Sequence, residues 1–241
     1  MILTTKAIVL DSISYQDSSL IIRLFTESVG KISIIVKGAK KRKNNISLIT
    51  EPGNIISITL NYKSTKNLQV PSEIDLVYSP PEIRNDIKTL HYVMAIISIT
   101  DKCCHENEKM HSLFNLLQFI IMELSVFNNN ELMICFFLIH VNKFFGFTIH
   151  IEECSICNHQ INEGSVNLDY LICCNKCANS SKYILSKNTL MALNNLMNYN
   201  MDVSTDLSII KKYLYLYTKK HLIDLKTIKP LISLQKYQNH A

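Results

Sequence analysis

Lys31-Ile32-Ser33-Ile34-Ile35-Val36-Lys37-Gly38-Ala39-Lys40-Lys41-Arg42-Lys43 joins two signals end to end. Ile32, Ile34 and Val36 alternate with Lys31, Ser33 and Lys37. A period of two puts one face of a strand in a core and the other in water. The run from Lys37 to Lys43 then holds five cations in seven residues. Like charges repel, so this run is expected as a solvated loop able to meet a polyanion.

Working outward, Ile56, Ile58, Leu60 and Tyr62 alternate with Ser57, Thr59 and Asn61. Leu3–Leu10, Leu20–Thr26 and Leu68–Val77 are further strand candidates. Five short strands within 80 residues suit a small closed barrel, such as an OB-fold or an SH3-like barrel. Ser79-Pro80-Pro81 ends the pattern, with Pro81 suited to a first helical position. The spacing predicts helices over residues 82–147. Ile87, Leu90, Met94 and Ile97 form one stripe; Leu113, Leu116, Leu117, Ile120, Ile121 and Leu124 form another. Glu131–Phe145 is apolar nearly all round, as in a helix at the centre of a bundle. Two later helices fall near Lys187–Tyr199 and Asp206–Ile223, the second with a stripe of Leu207, Ile210, Leu214 and Tyr217. The tail from Lys229 shows little pattern.

Cys154-Ser155-Ile156-Cys157 and Cys174-Asn175-Lys176-Cys177 give C-x2-C-x16-C-x2-C, the spacing of a four-thiolate zinc site. Two residues between cysteines make a turn that aims both sulfurs at one ion, and two such turns complete a tetrahedron. A shell of four thiolates leaves no place for water, so one structural ion is predicted, held by Cys154, Cys157, Cys174 and Cys177. Cys173 is an alternative third ligand, but Cys174 restores the two-residue turn. His150 and His159 are nearby substitutes. Cys103, Cys104 and Cys135 fall on apolar helix patterns and read as core residues. His150-Ile151-Glu152 matches the H-x-E of zinc deaminases, but neither cysteine pair follows a proline and there are two pairs rather than one.

Of 241 residues, 47% are hydrophobic, which excludes wholesale disorder. No glycine-rich phosphate loop occurs, and no triad or carboxylate pair can be argued from spacing, so no enzyme is expected. Residues 1–80 carry 10 basic and 6 acidic side chains, residues 151–181 carry 1 and 4, and residues 182–241 carry 9 and 3. Basic ends flank an acidic middle, so a negative partner would meet the ends first. Arg23 falls mid-strand on the candidate wet face. Lys211, Lys212, Lys219 and Lys220 surround Tyr215 on the last long helix. Tyr15 is a candidate stacking ring; Tyr62 is another, with a core role as its alternative. Asp11 and Asp17 read equally well as turn residues, and His221 as a core or cap histidine. Met1–Ser12 lacks a basic n-region and a cleavage site, so no secretory signal is expected. The apolar run Leu132–Val141 is too short for a membrane span. The cysteines are therefore expected in a reducing cytosol.

In order along the chain, Thr5-Lys6-Ala7-Ile8-Val9-Leu10, Tyr15-Gln16-Asp17, Leu24-Phe25-Thr26, Gly30-Lys31 and Val36-Lys37-Gly38-Ala39-Lys40-Lys41 come first. The cysteine module follows a helical stretch, and a last helix ends near His221 and Leu225-Lys226-Thr227. Over residues 1–228 the sequence resembles the RecO family of bacterial recombination mediators. Where that family often has a glycine pair before the second cysteine pair, this chain has Asp169-Tyr170-Leu171-Ile172. The resemblance implies an α+β multidomain protein: a five-stranded OB-fold β-barrel over 1–79, an α-helical domain over 80–149 and 182–241, and a zinc-ribbon-like four-cysteine module inserted at 150–181. It implies binding of single- and double-stranded DNA, strand annealing, and loading of recombinase on coated single strands. The implied partners are a RecR-like mediator and single-strand-binding protein, in the bacterial cytoplasm at the nucleoid, with no membrane or small-molecule substrate. Arg23, Lys37, Lys40, Lys41, Arg42, Lys43, Lys211, Lys212, Lys219 and Lys220 are the candidate DNA contacts. The other reading is an RNA-binding or ribosome-associated OB/zinc-ribbon protein.

Overall fold

Ile32 and Ile34 are buried while Lys31 and Ser33 keep partial access to water, so the alternating segment folds as its pattern requires. The computed structural model describes residues 1–40, 45–124, 129–178, 183–203 and 205–238. Lys41, Arg42 and Lys43 lie outside the described residues.

β1 (Ile2–Tyr15), β2 (Ser19–Thr26) and β3 (Gly30–Val36) form an antiparallel meander. After the short helix α1 (Ile46–Ile49), β4 (Ile55–Asn61) pairs with the other side of β1. β5 (Leu68–Gln69) lies parallel to β3, with Leu68 opposite Ser33. β6 (Pro71–Tyr78) lies antiparallel to β4, with Ile74 opposite Ile58. Only Val70 separates β5 from β6, so one extended stretch pairs with strands at both ends of the sheet order and closes it. The result is an OB-like barrel whose fifth strand is interrupted at Val70. Ala7, Val9, Ile22, Leu24, Ile34, Ile56, Ile58 and Leu60 fill it, each fully buried. Burying one large aliphatic side chain contributes about 1.5–3 kcal/mol.

The chain forms two compact units, one of residues 1–128 with 228–241 and one of residues 129–227. In the first, Pro81 opens α2 (Pro81–Asn85). Asp86 caps α3 (Ile87–Cys103), its carboxylate accepting from the Lys88 and Thr89 amides at 3.1 and 2.9 Å. The buried face of α3 is Tyr92, Val93, Ile96, Ile97 and Thr100. This corrects the predicted stripe: Ile87 is 55% exposed and Leu90 and Met94 are only partly covered. Apolar residues crowd more than one side of α3, so spacing alone does not fix which side is covered. In α4 (His111–Met122) the predicted stripe is buried throughout, and the Phe114 ring packs on Phe25 with centroids 6.2 Å apart.

In the second unit, α5 (Asn130–Phe144) is capped by Asn129 and buries every residue from Met133 to Asn142, as an all-round apolar helix must. β7 (Gly164–Val166) pairs with β8 (Ile172–Cys173) and β9 (Tyr183–Leu185). Ser186 caps α6 (Lys187–Met197), and Asp206 caps α7 (Leu207–His221). Ile210, Leu214 and Tyr217 of α7 are buried with Tyr213 and Thr218, while Leu207 stays partly exposed. The segment from Lys229 is structured despite its weak pattern. It forms helix α8 (Lys229–Gln238), which belongs to the first unit and packs on α3. Among the described residues no helix is long and apolar enough to cross a membrane.

Candidate nucleic-acid interface and metal centre

The outer face of the barrel is set by a bulge in β1. Val9 pairs with Leu24, yet Asp11 pairs with Arg23, so Leu10 is an extra residue. A one-residue shift reverses every side chain beyond it. Leu20, Ile22 and Leu24 point into the core. The residues opposite Ser19, Ile21 and Arg23 are Tyr15, Ile13 and Asp11, which the bulge therefore turns outward.

Arg23 is tied into a chain of charges on this face. Its guanidinium donates to Asp11 Oδ2 at 2.7 Å and reaches Asp101 Oδ2 at 3.2 Å. Lys31 Nζ lies 3.3 Å from Asp101 Oδ1 and donates to the Asp101 carbonyl at 2.6 Å. Asp11 is thus a strand residue in an ion pair rather than a turn residue. No local signal announces its link through Arg23 to Asp101, 90 positions along. Tyr62 takes the core role: it packs against the barrel interior and its hydroxyl donates to Asn107 Oδ1 at 2.9 Å.

Lys37 and Lys40 bracket a tight turn. Gly38 takes φ +70, a conformation natural to glycine. That turn sends Ala39 into the core, fully buried, while Lys37 and Lys40 stay exposed. The Lys40 amide donates to the Ser18 carbonyl at 3.1 Å and anchors the loop to the β1–β2 hairpin. Neither lysine side chain has an ion-pair partner among the described residues.

The α7 cations are less free. Lys211 pairs with Glu131 and Lys220 with Asp169, the latter at 3.1 Å. Lys212 sits 5.8 Å from the centre of the Tyr183 ring, a cation–π distance. Lys219 is exposed and has no partner among the described residues. His221 reads as a packing histidine: its Nε2 lies 3.0 Å from the Asp169 carbonyl, and its ring meets Tyr217 at 4.4 Å.

The four predicted cysteines converge. The sulfurs of Cys154, Cys157, Cys174 and Cys177 all lie within 4.8 Å of one another, and Cys157 Sγ is 3.8 Å from Cys174 Sγ. A tetrahedron with Zn–S bonds of about 2.3 Å has edges of about 3.8 Å, so the donor set fits a tetrahedral thiophilic ion. Two turns build it: the Asn158 amide donates to the Cys154 carbonyl at 2.9 Å, and the Cys177 amide to the Cys174 carbonyl at 3.0 Å. Burial alone would raise the Cys154 thiol, but backbone hydrogen bonds from Cys157, Cys174 and Ile156 outweigh it and hold the thiol at about 6. Cys177 is pushed up to about 12, first by side-chain hydrogen bonds with Cys157 and Cys174. Four thiols this close ionise together only around a cation.

Cys173 is not in the cluster. It is buried in β8, with its sulfur 3.7 Å from the Leu171 carbonyl. His150 and His159 are exposed and are not part of it either. Burial pushes Cys103 up to about 11 and Cys104 and Cys135 up to about 12, so these three stay protonated. Cys104 and Cys135 are core residues, while Cys103 is half-buried.

The family profile described as "Recombination protein O N terminal" matches residues 1–80, and "Recombination protein O C terminal" matches residues 84–224. A curated "DNA repair protein RecO" of Chlorobium phaeobacteroides is 31% identical over 167 residues, covering 69% of this chain and 64% of that protein. Its namesake from Pelodictyon phaeoclathratiforme is 32% identical over 155 residues, covering 64% and 59%. That of Chloroherpeton thalassium is 28% identical over 174 residues, covering 70% and 66%. The matched stretch spans about three fifths of the length of the first of these relatives.

Proposed function

The chain belongs to the recombination protein O family, and from that premise we propose that it is a DNA-binding recombination mediator that catalyses no reaction. The observation that carries this reading is the pair Lys37 and Lys40, exposed and unpaired among the described residues, on a loop whose next three residues are also basic. Each phosphate that a cation neutralises releases condensed counterions, which drives binding and makes it salt-dependent. Arg23, Lys41, Arg42 and Lys43 extend the barrel site; Lys211, Lys212, Lys219 and Lys220 form a second, weaker one. Two strands held on cations repel each other less, so complementary sequences pair faster.

In this reading residues 1–79 bind DNA, and 80–149 with 182–241 form a helical domain. The module over 150–181 holds one structural zinc ion on Cys154, Cys157, Cys174 and Cys177. A RecR-like mediator and single-strand-binding protein are the partners in loading recombinase, in the bacterial cytoplasm at the nucleoid. An annealing assay with complementary oligonucleotides, bare and coated with single-strand-binding protein, tests it. Pairing faster than the spontaneous rate on both templates is expected. A spontaneous rate on both, or cleavage of either strand, overturns the reading.

A further inference from the structure

Between α5 and the first cysteine pair, Thr148, His150 and Glu152 are exposed while Ile149 and Ile151 are buried. That is the period of a strand, yet the segment joins neither sheet. The backbone groups of Ile149, His150 and Ile151 have no hydrogen-bond partner within the chain among the described residues. A strand edge left open in this way is a template for another strand. It borders a groove. Two cavities of about 350 and 230 Å3 adjoin, sharing Ile151, Glu152 and Asn194. All six residues from Thr148 to Glu153 line the smaller one, so backbone as well as side chain forms that wall. The facing wall is α6, where Leu190, Met191, Asn194 and Met197 recur at helical spacing. Ile151, Ile161, Leu190 and Met191 make the larger cavity apolar, and Met191 is 56% exposed.

We infer that this groove takes an extended, basic peptide of a partner protein, added as a strand to residues 149–151. Its cationic side chains meet Glu152 and Glu153, and an aliphatic side chain between them enters the larger cavity beside Ile161 and Met191. This goes beyond the DNA-binding reading and does not depend on it. The open backbone selects a peptide, because only another backbone offers donors and acceptors in the same repeat. Charge selects its sign. Glu152 and Glu153 are exposed and have no ion-pair partner among the described residues. Lys187 is the only lysine or arginine lining either cavity. The surrounding residues 151–181 carry one basic and four acidic side chains. A polyanion is repelled from such a surface, so the groove is not a further DNA contact. Main-chain bonds would supply affinity, and alternate side chains specificity.

The test is fluorescence anisotropy of short labelled peptides with the full chain. The probes are an alternating valine–lysine peptide, its valine–glutamate counterpart, and two forms of the lysine peptide N-methylated at its odd or its even positions. The lysine peptide should bind about tenfold more tightly than the glutamate peptide. Only one methylated form should lose affinity, by about tenfold, because a strand presents alternate amides to one edge. Glu152→Gln with Glu153→Gln should erase the preference for lysine. Met191→Asp should abolish binding although it adds a negative charge, which separates a seat in the groove from diffuse attraction. Melting temperature shows that each variant is folded; if Met191→Asp is not, the methylated pair and the glutamine variant decide. Failure of the lysine peptide to bind, equal or tighter binding of the glutamate peptide, the same affinity for both methylated forms, or tighter lysine binding by folded Met191→Asp would each overturn the proposal. None of these outcomes touches the DNA-binding reading, which the annealing assay decides.

Discussion

A Cβ placed on Gly30 would lie 1.8 Å from the carbonyl oxygen of Glu108, so only glycine fits where the β2–β3 turn meets the α3–α4 connection. The contact is reinforced on both sides. The Asn107 amide donates to the Lys31 carbonyl at 2.9 Å, and Asn107 Oδ1 accepts from Tyr62. Gly30 also takes φ +73, which costs other residues about 1–2 kcal/mol.

Gly30→Ala should therefore destabilise the first unit by more than the backbone cost alone, about 3 kcal/mol, because Glu108 presents backbone rather than a flexible side-chain tip. Urea unfolding followed by circular dichroism measures it. A loss below about 1 kcal/mol would mean that the connection yields freely.

The two adjacent cysteines should behave differently. Cys174→Ser removes one of four convergent sulfurs, so bound zinc should fall from one per chain to near zero and the second unit should melt earlier. Cys173→Ser should keep the ion, because its sulfur lies outside the cluster, and should lose about 1–3 kcal/mol for burying a hydroxyl. Metal analysis of both purified variants separates the two positions; loss of zinc from the Cys173 variant would contradict the geometry.

The cysteine cluster is legible because its members come as two local pairs whose spacing encodes the turn. The barrel strands are legible for a similar reason, as alternation over Ile32–Val36 and Ile56–Tyr62 is a local pattern. What stays hidden depends on partners distant in sequence. The bulge at Leu10 decides that Ile13 and Tyr15 face outward, yet the residues around Leu10 show no break in apolar character. The Arg23–Asp101 pair needs α3 laid on the barrel before it exists. Helix α8 carries too weak a stripe to be read alone and is stabilised by packing on α3.

His140 should make stability pH-dependent. Its Nε2 donates to the Leu196 carbonyl at 3.0 Å, and its ring packs between Phe136 and Tyr199 at 4.3 and 4.4 Å. Burial, with a smaller contribution from nearby Lys143, lowers its pKa, against the opposing effect of the Leu196 bond. The unfolded chain therefore takes up a proton near pH 6.5 that the folded chain refuses. Stability from this group is complete above about pH 6.5 and falls as pH drops from there toward the depressed folded value. The loss of urea stability between about pH 7.5 and 5.5 should be smaller in His140→Phe than in the unaltered protein; equal slopes would sink this assignment.

Ion-paired and unpaired lysines should separate in a salt titration. Lys37 and Lys40 hold no carboxylate among the described residues, so each is free to displace a counterion from DNA. Replacing both by alanine should flatten the slope of log affinity against log salt for single strands by up to about 1.4, at about 0.7 per contact. Lys211 is engaged by Glu131 and only 20% exposed. Lys211→Ala should flatten the slope far less than the barrel pair does, and should lower the stability of the second unit because it strands a half-buried carboxylate. If the Lys211 variant flattened the slope as much as the barrel pair does, DNA would have to break the Glu131 contact, and α7 would be a primary site.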